Sequence, residues 1–117
     1  MVAVVDDDES VRDATRVALE SIGLDARSFS SAEEFLNSGA PDDTACLIAD
    51  IQMPGMNGLE LQSALAGCGF RIPIIFITAH GNPGLRMKAM TAGALEVFEK
   101  PFDDGLLLGA VRAALVT

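Results

Sequence analysis

Five side chains that could do chemistry together stand far apart in this sequence: Asp6 and Asp7, Asp50, Thr78 and Lys100. Three carboxylates brought close repel one another, which raises the pKa of at least one unless a cation intervenes. A hard divalent ion is the natural remedy, and oxygen-only ligands favour Mg²⁺, with Mn²⁺ as a possible substitute, over zinc. Such an ion keeps part of its hydration and leaves positions for water and a phosphoryl group. Asp50 then acts as a nucleophile toward phosphorus, as carboxylates do in aspartyl-phosphate enzymes. The Lys100 ammonium and the Thr78 hydroxyl offset charge on the phosphoryl oxygens. Taken singly, each residue has an ordinary structural reading: Asp50 a helix-side cap, Thr78 a turn residue, Lys100 a solvated charge before Pro101, and Asp6-Asp7-Asp8-Glu9 a solvated loop. What decides between the two is whether the fold gathers them.

The hydrophobic pattern says that it does. Val2-Ala3-Val4-Val5, Ala45-Cys46-Leu47-Ile48-Ala49 and Ile74-Ile75-Phe76-Ile77 are short, continuous apolar runs, as expected of strands buried on both faces. Leu24 to Phe29 reads as an edge strand and Leu95 to Glu99 as the last one. Between them, Ser10 is placed to cap a helix whose stripe is Val11, Ala14, Thr15, Ala18 and Ile22, with Gly23 as its stop. Ser30-Ser31-Ala32-Glu33-Glu34 offers two overlapping capping boxes for a short helix ending at Gly39. After the breaker-rich loop Met53-Pro54-Gly55-Met56-Asn57-Gly58, further helices are expected over Leu59 to Ala66, about Leu85 to Ala92, and Asp103 or Asp104 to Val116. This is βα five times over, an α/β chain with a parallel sheet covered on both faces. Right-handed crossovers put every strand's C-terminal end on one edge, and ligands bind beyond that edge where the strand order switches. Asp6 and Asp7, Asp50, Thr78 and Lys100 each follow one of the strands. Their convergence on one edge is hard to assign to chance.

Composition narrows the function further. The chain has 117 residues, suiting one domain, with 17 acidic and 8 basic side chains and a formal net charge of −9. Residues 1–50 carry twelve acids and three bases, whereas residues 51–117 carry five of each, so the excess is confined to the first half. An acidic chain does not grip nucleic acid through phosphate contacts, which need clustered Lys and Arg. No apolar run approaches the ~18 residues of a membrane span, and Asp6 interrupts the N-terminal run too early for a signal peptide. Cys46 and Cys68 form neither a disulfide framework nor a metal quartet, so a reducing, cytoplasmic home is the simplest expectation. Cys46 reads as a small core residue and Cys68 as part of a Gly-rich loop, while Met87 and Met90 read as packing residues.

With these residues in place, the sequence resembles a response-regulator receiver domain of two-component signalling over essentially its whole length. The motifs that carry the likeness are Val4-Val5-Asp6-Asp7-Asp8, Asp50-Ile51-Gln52-Met53-Pro54-Gly55-Met56-Asn57-Gly58, Ile77-Thr78-Ala79-His80 and Phe98-Glu99-Lys100-Pro101-Phe102. The run from Met87 to Phe102 most resembles the FixJ-type branch, whose members usually carry a C-terminal helix-turn-helix DNA-binding domain. The expectation is one receiver domain over residues 1–117, with any such output domain lying outside this chain. The resemblance implies a flavodoxin-like, doubly wound, five-stranded parallel sheet of order 2-1-3-4-5 with five helices in three layers. It implies that Asp50 accepts a phosphoryl group from a histidine kinase. Asp7, Asp50 and the backbone carbonyl of Gln52 would ligate Mg²⁺ directly, with Asp6 acting through water. Lys100 would contact the phosphoryl group, Thr78 would report it, and Pro101 would follow Lys100 through a cis bond, which X–Pro bonds tolerate. Asp8 matches the motif without a direct role. Phosphorylation would change the face formed by the fourth helix, fifth strand and fifth helix, releasing an output domain for transcription regulation or forming a homodimer. No direct nucleic acid contact and no membrane contact are expected, and no enzymatic turnover beyond slow self-phosphorylation and self-dephosphorylation.

Two features depart from the family pattern. Receivers usually carry Tyr or Phe three residues before the Lys, and here that position is Val97, with Phe98 on the opposite strand parity. Asn82-Pro83-Gly84 opens the fourth helix, and Gly84 should leave its first turn labile. His80, the sole His, reads as an exposed loop residue; the sharper alternative has His80 and Gln52 flanking the phosphoryl group and setting water access. Two rival functions fare worse. A phosphatase of the haloacid-dehalogenase type would need a second Asp two residues after the first, where Gln52 stands. A flavin carrier would need a Ser/Thr/Gly-rich phosphate loop where Asp6-Asp7-Asp8-Glu9 stands. A receiver that signals without phosphorylation is disfavoured by the intact acid set.

Overall fold

Five parallel strands make one sheet in the order β2-β1-β3-β4-β5, and the computed structural model describes residues 1–79 and 83–116. The strands are β1 (Val2–Val5), β2 (Ala26–Phe29), β3 (Cys46–Asp50), β4 (Ile74–Thr78) and β5 (Glu96–Glu99). The helices are α1 (Glu9–Ser21), α2 (Ala32–Asn37), α3 (Gly58–Gly67), α4 (Pro83–Thr91) and α5 (Asp104–Leu115). The expected order is therefore the observed one. Because consecutive side chains on a strand point to opposite faces, each strand feeds two cores. Ala3, Val5, Leu47, Ala49, Phe76 and Val97 pack with Phe35 of α2, Leu61 and Leu65 of α3, and Ala89 of α4. Val2, Val4, Ile48, Ile75 and Ile77 pack on the other face with Leu19 of α1 and Leu107 and Val111 of α5. The result is three layers.

Register sets the site. Val5 is level with Ala49, so the next residues, Asp6 and Asp50, leave the sheet side by side. Asp50 is level with Ile77 and Thr78 with Glu99, which brings Thr78 and Lys100 to the same edge. The carboxyl edge of β1 and β3 is where the order switches, because the chain leaves β1 outward to β2 and returns to β3.

Several local expectations shift. Asp8, not Ser10, caps α1: its backbone is extended (φ −91, ψ 114) and its carboxylate accepts from the N–H groups of Ser10 and Val11. Helical geometry already begins at Glu9, so Ser10 falls inside the first turn. β2 starts at Ala26 and not Leu24, because its partner β1 is only four residues long and pairs Val2 with Ala26. The helix after Ser31 ends at Asn37, and a 3₁₀ turn, Ala40–Asp43, follows Gly39, whose φ of 79 favours glycine. α4 begins at Pro83, two residues earlier than the apolar spacing suggests. Cys46 is buried as expected, whereas Cys68 is exposed and closes the C-terminal turn of α3. Met87 and Met90 do not serve as core: they are 70% and 40% exposed on α4. His80 and Asn82, singled out above, lie outside the described residues.

Candidate functional site

Asp6 and Asp50 are 2% and 7% exposed, unusual for carboxylates, and each has one oxygen fixed by the main chain that follows it. The N–H of Asp8 donates to Asp6 Oδ1 at 2.9 Å, and the N–H of Gln52 donates to Asp50 Oδ1 at 3.0 Å. These turns lock the carboxylate rotation and leave the second oxygens facing inward. There Lys100 Nζ, carried past the end of β5, lies 3.6 Å from Asp6 Oδ2 and 3.7 Å from Asp50 Oδ2. The Lys100–Pro101 peptide bond is cis, as expected.

Burial sets the electrostatics. Desolvation pushes the Asp6 carboxyl above its ordinary range, further raised by the nearby Asp50 and Asp7 charges and opposed by the Asp8 N–H and Lys100. Asp50 is raised mainly by the same desolvation, with the Gln52 N–H and Lys100 pulling against it and Asp7 adding to it. Among the described residues Lys100 is the one cation within ion-pair distance of Asp6 and Asp50, which leaves the cluster short of positive charge.

Asp6, Asp7 and Asp50 each offer an oxygen, and these three atoms lie within 4.8 Å of one another. Two oxygens on one Mg²⁺ sit at most about 4.2 Å apart, so the cluster has the size that one hydrated ion spans, with a carboxylate reached through water where the gap is widest. The donor set is all oxygen, two members are short of positive charge, and Asp7 is exposed where an ion would enter. A hard divalent cation fits these residues.

Thr78 ends β4 and is 4% exposed. Its other side lines a cavity of about 240 Å³ shared with Ile51, Pro83, Leu85, Arg86, Val97 and Glu99. Val97 is buried with Phe76 on the α4 face, whereas Phe98 sits on the opposite face with its ring 6.2 Å from that of Phe102. The parity reading of these two residues therefore holds.

Three supporting residues were not evident from sequence. Arg12, one turn into α1, donates from Nη1 to the Asp6 carbonyl at 2.9 Å and pins the β1–α1 loop. Gly58 lets α3 approach the end of β3: a Cβ there would stand 2.6 Å from the Asp50 carbonyl oxygen and 2.9 Å from Ile51 Cα. Arg86 of α4 reaches the outer edge of β5. The only sequence signal among them was the Asn57-Gly58 breaker, which marks a turn without revealing what lies against it.

Comparisons with known proteins agree with this geometry. The family profile described as response regulator receiver domain matches residues 2–112. The transcriptional regulatory protein FixJ of Azorhizobium caulinodans is 44% identical over 114 residues, covering 97% of this chain and 54% of that protein. The response regulator protein TmoT of Ectopseudomonas mendocina is 47% identical over 115 residues, covering 98% of this chain and 52% of that protein. The crystal structure of FixJ-N superposes with a TM-score of 0.88 at 37% identity, over 98% of this chain and 92% of that one. The chain spans about half the length of the curated relatives it matches.

Proposed function

The chain belongs to the response regulator receiver family, and from that premise we propose that it is one receiver domain whose Asp50 accepts a phosphoryl group from a histidine kinase. The observation that carries this is the placement of Asp50: buried at the tip of β3, its rotation fixed by Gln52, facing Lys100 and sharing a small space with Asp6 and Asp7. A carboxylate oxygen of Asp50 attacks phosphorus, the donor's P–N bond breaks, and the imidazole leaves with the bonding pair. Lys100 pairs with a phosphoryl oxygen and the Thr78 hydroxyl donates to another, offsetting charge that grows during transfer. Asp7, Asp50 and the Gln52 carbonyl would hold Mg²⁺ (or Mn²⁺) directly, and Asp6 through water. Bound there, the ion would supply the positive charge that the three carboxylates and the incoming phosphoryl group lack.

In this reading the domain is a switch and not a turnover enzyme, with self-phosphorylation and self-dephosphorylation slow, because Gln52 stands where a phosphatase of the haloacid-dehalogenase type would place its second Asp. An aspartyl phosphate adds charge that Lys100 and the Thr78 hydroxyl are placed to pair, so it favours the conformer with Thr78 drawn toward it. Thr78 also walls the cavity under α4, so its movement reaches the α4–β5–α5 face. That face carries the exposed Met87, Met90, Leu95 and Leu106, which suit a homodimer formed on phosphorylation. Transcription regulation is what the name of the relative FixJ suggests, and the family resemblance would place a C-terminal helix-turn-helix output domain beside the receiver, with DNA contact left to that domain. A reducing, cytoplasmic setting suits the two free cysteines.

The test is labelling by acetyl phosphate with Mg²⁺, read by intact mass. Asp50→Ala abolishes the added phosphoryl mass, whereas Asp8→Ala, which removes a helix cap and no ligand, retains it. Labelling that survives in Asp50→Ala contradicts the assignment.

A further inference from the structure

Helix α4 is tied to its neighbours at two different points. Near its C-terminal end, buried Gln62 of α3 donates from Nε2 to the carbonyl of Ala89 at 3.2 Å, and the N–H of Ala94 donates to the same oxygen at 3.0 Å. One turn earlier, Arg86 spans to the free edge of β5. Its Nη1 donates to the Val97 carbonyl at 2.8 Å and its Nη2 to Glu96 Oε1 at 3.1 Å. Glu96 Oε1 also accepts the Val97 N–H at 3.0 Å. Beneath the first turn lies the cavity of about 240 Å³ that α4 shares with Thr78, lined on the helix side by Pro83, Leu85 and Arg86. Leu85 also borders a second cavity, of about 380 Å³, that reaches Gln52 and Met53 beside the acidic cluster. The N-terminal part of α4 therefore has space to move into, and a fixed point at Ala89 about which to turn. The Arg86 contacts resist that motion.

We propose that Arg86 and Glu96 form a latch that holds α4 against the edge of β5 in the unphosphorylated state, and so set how readily Asp50 is engaged. The proposal rests on the phosphoacceptor reading and adds the residues that regulate it. Turning about Ala89, α4 lowers its first turn into the cavity beside Thr78, and contacts of 2.8 and 3.1 Å from Arg86 to β5 do not survive a shift of that kind. The engaged state therefore forms only as the latch opens. Coupling of this sort is reciprocal: whatever the latch adds to the resting state is subtracted from affinity for a phosphoryl mimic. Val97 is bracketed on its outer side by the pair, its carbonyl taken by Arg86 and its N–H by Glu96. An open latch uncovers that stretch of edge strand within the face assigned to the homodimer.

The test is calorimetric titration with beryllofluoride under saturating Mg²⁺, since the chain has no Trp or Tyr to report binding optically. The Arg86 and Glu96 side chains are 56% and 37% exposed, so the pair is partly screened and the expected effect is modest. Arg86→Gln should tighten beryllofluoride binding about three- to tenfold while lowering the thermal midpoint of the unliganded protein. Glu96→Gln should act in the same direction more weakly, and the double variant should add little to Arg86→Gln. A residue that merely braces the fold would lower both stability and affinity, so the opposite signs are the signature of a latch. Unchanged or weakened affinity in Arg86→Gln, with wild type binding normally, overturns the latch and leaves the acceptor site standing. Wild type that fails to bind beryllofluoride with Mg²⁺ removes the acceptor reading and the latch with it.

Discussion

Asp6 and Asp50 are where burial works against the fold. Both carboxyls are raised, chiefly by desolvation, above the ordinary value of 3.8 that they keep in the unfolded chain. Between that value and the raised one the folded state binds more protons than the unfolded state, so stability is fully present below the window and falls as pH rises through it. A bound divalent cation favours the ionised forms and opposes that loss. Thermal melts should therefore show the chelator-treated protein losing stability from about pH 4 upward, and added Mg²⁺ raising the midpoint most at neutral pH. Asp6→Asn, which removes one buried charge, should raise the midpoint by a few degrees at neutral pH without Mg²⁺ and blunt the Mg²⁺ response. A midpoint indifferent to both would mean that the cluster neither costs stability nor takes an ion. The thiols give a second contrast. Burial pushes Cys46 up to about 11, whereas Cys68 is exposed. Iodoacetamide at pH 8 should modify Cys68 in the native protein and reach Cys46 only on unfolding. At this scale the site residues were legible, because polar side chains that end buried apolar runs stand out in a sequence. The roles of Arg12 and Arg86 were not, since each acts on a main-chain carbonyl that sequence spacing does not locate.

At the scale of elements, caps and close approaches decide where the site residues stand. Asp8→Ala removes the acceptor of two N–H groups at the start of α1 and should cost about 0.5–2 kcal/mol in urea unfolding. Gly58 poses two opposed effects. Alanine for glycine inside a helix ordinarily gains up to about 1 kcal/mol. Here the new Cβ would meet the Asp50 carbonyl oxygen at 2.6 Å and Ile51 Cα at 2.9 Å, backbone atoms that cannot swing aside. Overpacking costs about 1–3 kcal/mol, so it wins: Gly58→Ala should lower stability in urea unfolding and slow labelling of Asp50, whose own backbone it displaces. A stabilised variant with normal labelling would show that α3 has room to retreat. Helix existence was readable from periodicity, but Ser10 was mistaken for the cap because Asp8 had been grouped with the acidic run of the site. The start of α4 at Pro83 was marked by the Asn82-Pro83-Gly84 run and not by apolar spacing, because its first turn carries few apolar residues.

For the molecule as a whole, alternation of buried strands with helices was enough to specify a parallel sheet, and the sheet's carboxyl edge was enough to gather the acids. The outer surface was less legible. Met87 and Met90 were expected to pack inward, yet α4 turns them to solvent, since helical spacing alone does not say which face a neighbour covers. Together with Leu95 and Leu106 they leave an apolar surface on the α4–β5–α5 side. Sedimentation should find dimers after acetyl phosphate and Mg²⁺ treatment, and Met87→Asp should keep the protein monomeric without reducing its labelling. Normal dimers in Met87→Asp would move the interface elsewhere. The central claim, that Asp50 is the phosphoryl acceptor, is tested most directly by trapping the acyl phosphate. After reaction with acetyl phosphate and Mg²⁺, borohydride reduction converts an aspartyl phosphate to homoserine, which peptide mass spectrometry can place. The account predicts homoserine at residue 50; homoserine at another aspartate, or a stable phosphoryl group with no aspartate converted, would contradict it.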